Sequence, residues 1–139
     1  MTRSYTIAVV GATGAVGRMT LAILAERRFP VARLLAFASS RSEGKTLTFC
    51  GESLPLRVLR PGCFVGVDFA FFAAGGATSR QFVPQAVAEG AVVIDKSSVY
   101  RFDPEVPLVV PEVNPQALKA HRGLIANPNC STKIGRAHV

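Results

Sequence analysis

A turn rich in glycine, set directly between a strand pattern and a helix pattern, constrains the fold of this chain more than any other feature. Thr6–Val10 is a short, mostly apolar run, which is typical of a strand buried on both faces. Three glycines come next: Gly11, Gly14 and Gly17. Ala15–Arg28 then carries apolar side chains at helical spacing. These are Val16, Met19, Ile23 and Leu24. The order predicts a βαβ unit whose second strand is Leu34–Ala38.

The remaining sequence continues to alternate strand and helix patterns. Strands are predicted at 67–73, 91–95, 108–110 and 124–126, with an antiparallel pair at 45–49 and 53–59. One helix is predicted at Ser79–Glu89, with Ser79 as its N-cap, and a shorter one at Pro115–Arg122, opened by Asn114. The longer helix places four side chains on one face: Phe82, Val83, Ala86 and Val87. The pattern predicts a Rossmann-like, doubly wound α/β domain with a mainly parallel sheet.

Length and composition limit the class of protein. The chain has 139 residues, 49% of them hydrophobic, which suits one packed domain. Its longest apolar run, 69–77, is far shorter than the roughly 20 residues of a membrane span, and no signal peptide is visible. Because no signal peptide is visible, we expect a cytoplasmic location. Cys50, Cys63 and Cys130 lack CxxC spacing, so we expect reduced thiols and no metal site. The net charge is +7, but the basic residues are scattered, and no nucleic-acid partner is predicted.

The glycine turn is the predicted site for a dinucleotide. Gly11 permits the tight turn, Gly14 lets a pyrophosphate approach the backbone, and Gly17 allows the helix to pack closely on the strand. The other loop residues predicted to bind the cofactor are Thr13, Ala15 and Val16. An ordinary βα turn is the alternative interpretation, because glycine turns follow strands in many folds.

The residues after the second strand favour NADP over NAD. An NAD site usually places an acidic residue at this point to bind the ribose hydroxyls, and here no acid occurs before Glu43. Arg41 offers a planar fork for a 2′-phosphate, while Ser39 and Ser42 offer hydroxyl donors. The alternative is that Arg41 is only a solvated loop arginine.

Six ordered blocks of sequence resemble the aspartate-semialdehyde dehydrogenase family, from the first strand to Thr132. They are Gly11–Gly17, Ala38–Ser42, Phe71–Gly76, Val93–Arg101, Val109–Asn114 and Asn127–Thr132. The resemblance covers nearly the whole chain but less than half of the family's usual length. Lys96 departs from it, since the family commonly has Asn there.

The resemblance implies that Cys130 is a nucleophile. A cysteine where a strand passes into a helix lies near the positive end of the helix dipole, which lowers its pKa, although the residue alone would equally suit a buried small hydrophobe. In the family the thiolate attacks the aldehyde, hydride passes to NADP, and inorganic phosphate releases an acyl phosphate. Arg101 then corresponds to a phosphate-binding arginine, and Asn129 to a residue that places phosphate or the thioester oxygen, with a helix cap as its alternative role. Ala74 and Gly75 would allow the cofactor to approach closely.

The resemblance also implies parts that this sequence does not carry. In the family, the general base, the arginine for the substrate carboxylate and most of the homodimer interface belong to a C-terminal catalytic and dimerisation domain. His121 sits at the end of a polar helix and is expected to be solvated, and His138 lies in an unmatched tail. We therefore expect a domain at 1–132, a non-native tail at 133–139 of the kind a sequencing adapter encodes, and no activity from the chain alone.

Two other functions remain open at this level. N-acetyl-γ-glutamyl-phosphate reductase shares the glycine loop, the thiol and the acyl-phosphate chemistry, but its cysteine block differs from Asn127–Thr132. A non-catalytic NADP-binding module is the other alternative, and the presence of Cys130 argues against it.

Overall fold

The computed structural model describes residues 3–128, which form a single sheet flanked by helices. The strands are β1 (Tyr5–Val10), β2 (Val31–Phe37), β3 (Thr46–Phe49), β4 (Glu52–Arg57), β5 (Phe69–Phe72), β6 (Val92–Asp95) and β7 (Leu124–Ala126). The helices are α1 (Ala15–Glu26) and α2 (Gly76–Ala88), with short 3-10 turns at Ser40–Ser42 and Pro115–Ala120. The strand order is β3-β4-β2-β1-β5-β6-β7, and only the β3–β4 pair is antiparallel. The predicted Rossmann-like fold is confirmed.

The two helices cover opposite faces of the sheet. Successive side chains of a strand point to opposite faces, so β1 contributes to two cores. Ile7 and Val9 pack with Leu21 and Leu24 of α1. On the other face, Ala8 and Val10 pack with Val83 and Ala86 of α2, beneath a group of aromatic rings. These rings are Phe37, Phe64 and Phe72. The doubly wound arrangement leaves the carboxyl ends of the parallel strands along one edge.

Helix α1 forms where predicted, but it does not bury the predicted face. Of the four residues at helical spacing, only Leu24 is buried, while the side chains of Val16, Met19 and Ile23 are exposed. The buried positions are Gly17, Leu21 and Leu24. Gly17 allows the first turn of α1 to approach the backbone of Gly11, and this close approach fixes which face of the helix meets the sheet.

Three further predictions of local structure were wrong in detail. Helix α2 begins at Gly76, so Ser79 is not its N-cap; its hydroxyl instead donates to the carboxylate of Asp95. Residues 108–110 form no regular strand, only an isolated bridge between Leu108 and Ala126. The helix predicted at Pro115–Arg122 is only a 3-10 turn at Pro115–Ala120, and the Asn114 side chain bonds the backbone of Leu108 and Val110 rather than capping it. For Ser79 and Leu108 the contact that outweighs the local signal is distant in sequence, whereas the Asn114 side chain bonds residues only four and six positions away.

The β3–β4 hairpin turns through Cys50 and Gly51, both in the left-handed region with φ of 50° and 81°. Two consecutive residues of this kind are the mark of a type I′ turn, in which Asn-Gly is preferred and other side chains are strained. Replacing Cys50 by Asn is therefore expected to raise the free energy of unfolding by about 0.5–1 kcal/mol.

Urea unfolding of the Cys50→Asn chain measures this effect, with Cys50→Ala as the matched control. Alanine removes the thiol but keeps the strained backbone, so its stability should stay near that of the parent. A gain in stability for Ala equal to that for Asn would assign the effect to the thiol and contradict the turn argument.

Candidate functional site

The glycine loop, Gly11–Gly17, is fixed between the ends of β2 and β5, the two strands that flank β1. The amides of Gly11 and Ala12 both donate to the carbonyl of Phe37, at 3.0 Å each. Gly11 has φ of 85°, and a Cβ at this position would lie 2.5 Å from the carbonyl oxygen of Ala73, just after β5. The turn role predicted for Gly11 thus has two physical causes: the backbone conformation and the contact with β5.

The other two glycines of the loop occupy different surroundings. A Cβ on Gly17 would lie 2.0 Å from the carbonyl oxygen of Gly11, which confirms the predicted packing role. Gly14 has an ordinary φ of −77°, and a Cβ there would meet only the oxygen of Gly11, at 3.5 Å. The backbone at Gly14 is exposed, so a ligand can reach it. Gly14 is also the N-cap of α1 and makes no side-chain capping bond, which leaves first-turn amides for an anion.

A cleft of about 380 Å³ lies at the carboxyl ends of β1, β2 and β5. In this sheet, α1 leads outward from β1 to β2 on one side, and α2 leads outward from β5 to β6 on the other side, so the cleft marks the topological switch point where doubly wound domains bind ligands. We refer to it as the switch-point cleft. Four of the predicted cofactor residues line it: Gly11, Thr13, Ser39 and Ala74.

The other predicted cofactor residues are not among those that line the cleft, although Gly14, Arg41 and Gly75 each follow a lining residue in the sequence. Ala15 and Val16 are exposed in the first turn of α1. Arg41 is exposed and Ser42 half-buried in the 3-10 turn that begins at Ser40, itself a lining residue. Gly75 is the N-cap of α2, with φ of 91°.

The cleft also has lining residues that the sequence did not indicate as functional. Thr78 and Phe82 come from α2, and Val58 and Leu59 follow β4. The spacing of Phe82 in the sequence predicts that it belongs to the core face of a helix. Val58 and Leu59 reach the cleft because β4 pairs in parallel with β2 after forming an antiparallel hairpin with β3. No local sequence pattern predicts the pairing of β4 with β2.

A second polar group lies at the carboxyl end of β6. Asp95 and Ser79 are completely buried. The Asp95 carboxylate accepts hydrogen bonds from the Ser79 hydroxyl at 2.8 Å, the Ser97 hydroxyl at 2.7 Å and the Ser97 amide at 3.1 Å. Because burying a carboxylate is costly unless it is hydrogen-bonded, these three donors are what the site requires.

Arg101 lies beside this group and bonds the backbone of two segments. Its Nε donates to the carbonyl oxygen of Asn127 at 3.0 Å, and one Nη donates to that of Lys96 at 2.9 Å. The amide of Asn127 donates in turn to the carbonyl of Asp95, at 2.9 Å. The guanidinium therefore joins the loop after β6 to the chain that leaves β7.

The predicted nucleophile lies just beyond this point. Cys130 and Asn129 are outside the described residues, as are His138 and the tail at 133–139. The last described residue is Pro128, which is buried. Since β6 and β7 are parallel to β1, the chain runs out toward Cys130 at the same edge of the sheet as the switch-point cleft. Three strand spacings separate β1 from β7, about 14 Å.

Among the described residues, the two cysteines are Cys50 and Cys63, and the histidine is His121. Burial raises the pKa of the Cys63 thiol, and the nearby Glu89 carboxylate adds to the effect, which disfavours a reactive thiolate. Cys50 is exposed in the hairpin turn. His121 is exposed, as predicted, and its Nδ1 accepts the amide of Gly123 at 3.1 Å.

Residues 3–128 contain neither a membrane-spanning helix nor a group of metal-binding side chains. No helix in this part of the chain has the length and apolar character needed to cross a membrane. Within the same residues, no three His, Cys, Asp or Glu side chains are grouped so that they could hold a metal ion.

Comparison with known families places residues 6–121 in a single match. They match the sequence profile described as "Semialdehyde dehydrogenase, NAD binding domain". This range contains β1 through the 3-10 turn at Pro115–Ala120, including the glycine loop, the switch-point cleft and Arg101.

Individual relatives agree with this match. The aspartate-semialdehyde dehydrogenase of Aquifex aeolicus is 54% identical over 131 residues, which are 92% of this chain and 38% of that protein. Aspartate semialdehyde dehydrogenase II of Vibrio cholerae, solved in complex with ASA, superposes with a TM-score of 0.90 at 47% identity and covers 94% of this chain and 44% of the other. The Candida albicans aspartate semialdehyde dehydrogenase, solved with NADP, gives a TM-score of 0.77 at 25% identity over 94% of this chain and 44% of its own. The chain thus spans less than half the length of these relatives.

Proposed function

The chain belongs to the semialdehyde dehydrogenase NAD-binding domain family, and from this premise we propose that it supplies the cofactor site and the thiol of an NADP-dependent aspartate-semialdehyde dehydrogenase. The reaction is the reversible, phosphorylating oxidation of aspartate 4-semialdehyde. In the biosynthesis of lysine, threonine and methionine it proceeds in the opposite direction, as reduction of the acyl phosphate. The observation that carries the proposal is that the switch-point cleft lies at the same edge of the sheet from which the chain continues toward Cys130.

The residues around the switch-point cleft fit a dinucleotide. The open backbone at Gly14 and the first-turn amides of α1 suit a pyrophosphate, because they combine close approach with the positive end of the helix. A side chain at Gly11 would collide with Ala73, so the loop is held against β5. Ala74 and Gly75, with small or absent side chains, leave room beside the cleft. When bound, NADP supplies the hydride acceptor of the reaction.

The charges near the end of β2 favour the phosphorylated cofactor. Arg41 is exposed and follows Ser39 and Ser40, both at the cleft. The nearest acid in sequence, Glu43, accepts a hydrogen bond from Arg60 at 3.3 Å, so its negative charge is partly balanced. A 2′-phosphate brought to this corner would meet net positive charge, to which Arg41 adds a bidentate donor.

Replacing Arg41 by Ala is expected to weaken NADP binding by about 1.5–3 kcal/mol while NAD binding changes little, because only NADP has a 2′-phosphate to lose the charge-assisted contact. Calorimetric titration of the chain with both cofactors measures the two changes. Arg33→Ala is the matched control, since it removes an exposed arginine from the same strand-and-turn region but nearer the start of β2. Equal losses for NADP and NAD in the Arg41 variant would contradict the assignment.

The thiol chemistry follows from the proposed position of Cys130. Its thiolate forms a carbon–sulfur bond with the aldehyde carbon to give a thiohemiacetal. The thiohemiacetal becomes a thioester as its hydride passes to NADP and its hydroxyl proton to the general base that the family carries in its C-terminal domain. Inorganic phosphate then attacks the thioester carbon, the carbon–sulfur bond breaks, and the acyl phosphate leaves with the thiolate restored. In this proposal Arg101 holds the phosphate, and Asn129 places the phosphate or the thioester oxygen. The full-length protein is proposed to be a cytoplasmic homodimer.

Arg101 can bind a phosphate while it keeps its hydrogen bonds to the backbone. Two nitrogens of its guanidinium donate to the carbonyls of Lys96 and Asn127, which leaves the second Nη for an anion. A side chain anchored in this way is held close to the chain that leads to Cys130, so a phosphate bound there would lie near the thioester.

Thiol labelling combined with NADP titration separates this function from a non-catalytic nucleotide-binding module. In the product of the complete reading frame, we expect Cys130 to react faster with iodoacetamide at neutral pH than Cys50 or Cys63 does. Micromolar or tighter NADP binding with a Cys130 no more reactive than Cys63 would favour the non-catalytic module.

A further inference from the structure

Three segments of the fold meet at the buried carboxylate of Asp95. One carboxylate oxygen accepts the hydroxyl of Ser79, which belongs to α2, and the amide of Ser97, which belongs to the loop 96–101. The other oxygen accepts the hydroxyl of Ser97. The main-chain carbonyl of Asp95 accepts the amide of Asn127, the residue after β7.

The three segments are the ones that the proposed reaction needs. Helix α2 contributes Thr78 and Phe82 to the switch-point cleft, and Thr78 is adjacent to Ser79. The loop 96–101 carries Arg101 at its end and is tightened by a bond from the Val99 amide to the Ser97 hydroxyl, at 3.3 Å. The chain after Asn127 leads to Cys130.

Arg101 closes the arrangement from the other side. Its bonds to the carbonyls of Lys96 and Asn127 join the loop 96–101 to the chain after β7, so Asp95 and Arg101 fix the same two segments at different points. A carboxylate is suited to such a junction because its two oxygens offer about four acceptor sites, which no uncharged side chain of this size provides. Buried networks of this kind are rigid when every member is satisfied.

We propose, on the basis of the function proposed above, that Asp95 is a positioning residue. Its buried hydrogen bonds to Ser79 and Ser97 hold Arg101 and the chain leading to Cys130 in a fixed position relative to α2, the helix that lines the switch-point cleft. Asp95 itself touches neither substrate nor cofactor. Cofactor binding depends on the glycine loop, which is held by Phe37 and Ala73 rather than by Asp95.

The first test uses the chain itself and needs no turnover. Asp95→Ala is expected to speed hydrogen exchange of the Asn127 amide at least tenfold, because the backbone that accepts its bond is no longer fixed by the carboxylate. Asp68→Asn is the matched control, since the Asp68 carboxylate also accepts a backbone amide, that of Thr6 at 2.8 Å, at the opposite end of the sheet. Unchanged exchange at Asn127 in Asp95→Ala, or an equal increase in Asp68→Asn, would overturn the proposal.

The second test measures the reaction in the product of the complete reading frame. We expect Asp95→Ala to lower kcat and the rate of Cys130 alkylation at least tenfold, with the Kd for NADP changed less than threefold. Asp95→Asn keeps one oxygen for Ser79 and the Ser97 amide, and its NH2 group can donate to the Ser97 hydroxyl oxygen in place of the bond that this hydroxyl donates to the carboxylate. We therefore expect Asp95→Asn to restore kcat to within threefold of the parent, whereas Ser97→Ala loses this contact altogether. A merely structural residue would affect cofactor binding and kcat together, and would show no such rescue.

A second variant keeps the test decisive if Asp95→Ala does not fold. Ser97→Ala removes one bond to the carboxylate and the bond from Val99 at a half-buried position, and it is expected to lower kcat in the same direction with NADP binding retained. A folded Asp95→Ala, or in its absence a Ser97→Ala, with the parent's kcat and alkylation rate would overturn the proposal. An inactive parent protein would instead contradict the proposed function, and the exchange of Asn127 would still decide the role of Asp95.

Discussion

Replacing Gly17 by alanine is expected to lower the free energy of unfolding of this chain by about 3 kcal/mol or more. The added Cβ would lie 2.0 Å from the carbonyl oxygen of Gly11, 2.8 Å from its carbonyl carbon and 2.9 Å from the Cα of Ala12. All three atoms belong to the backbone, so no change of rotamer relieves the collision, and the start of α1 must move off the sheet. Helix propensity alone predicts the opposite, a gain of about 1 kcal/mol for alanine over glycine.

Chemical denaturation of the Gly17→Ala chain measures this change, and Gly14→Ala provides the control three residues away. At Gly14 the added Cβ meets a single atom at 3.5 Å and the backbone φ is −77°, so stability should stay within about 1 kcal/mol of the parent. The Gly14 variant should nevertheless bind NADP more weakly, because its methyl group occupies the space proposed for the pyrophosphate. A stabilised Gly17→Ala chain would mean that helix α1 does not approach the loop as closely as described.

Replacing Cys130 by serine is expected to lower kcat of the complete protein by about a thousandfold or more, while NADP binding is retained. A serine hydroxyl is almost entirely un-ionised at neutral pH and forms an ester in place of a thioester, so both the attack on the aldehyde and the release to phosphate are slowed. Steady-state rates and NADP titration of the same preparation measure the two quantities.

Cys50→Ser is the matched control for this substitution. Cys50 is exposed in the hairpin turn, on the side of the sheet away from β6 and β7, and its replacement should leave kcat within twofold of the parent. Substantial turnover in the Cys130→Ser protein, or a comparable loss in the Cys50→Ser protein, would remove Cys130 from the role of nucleophile.

Much of the fold could be predicted because its signals are local. The glycine spacing and the flanking apolar runs specify the first βαβ unit, and the structure confirms the roles of Gly11 and Gly17 through the contacts that a Cβ would make. The buried face of α1 was not predictable in the same way. The hydrophobic pattern predicts that the face with Val16, Met19 and Ile23 is buried, because a glycine adds no hydrophobic signal. The close approach of the backbone at Gly17 nevertheless decides which face is buried.

The polar part of the candidate site was only partly visible from the sequence. Ser79 has the local signature of an N-cap, and its actual partner, Asp95, lies 16 residues away in the chain. Arg101 was recognised through a resemblance, but its acceptors are backbone carbonyls, which every residue has and no pattern distinguishes. The sequence could therefore locate the arginine without indicating that it joins two segments of backbone.

The most direct test of the proposed function is the initial rate of NADPH formation by the product of the complete reading frame, measured with two semialdehydes. With aspartate 4-semialdehyde, we expect NADPH to form only when inorganic phosphate is present, because phosphate must release the acyl group from Cys130. With N-acetylglutamate 5-semialdehyde, we expect a rate at least a hundredfold lower. A preference for N-acetylglutamate 5-semialdehyde, or no oxidation of aspartate 4-semialdehyde by a folded protein that binds NADP, would contradict the assignment.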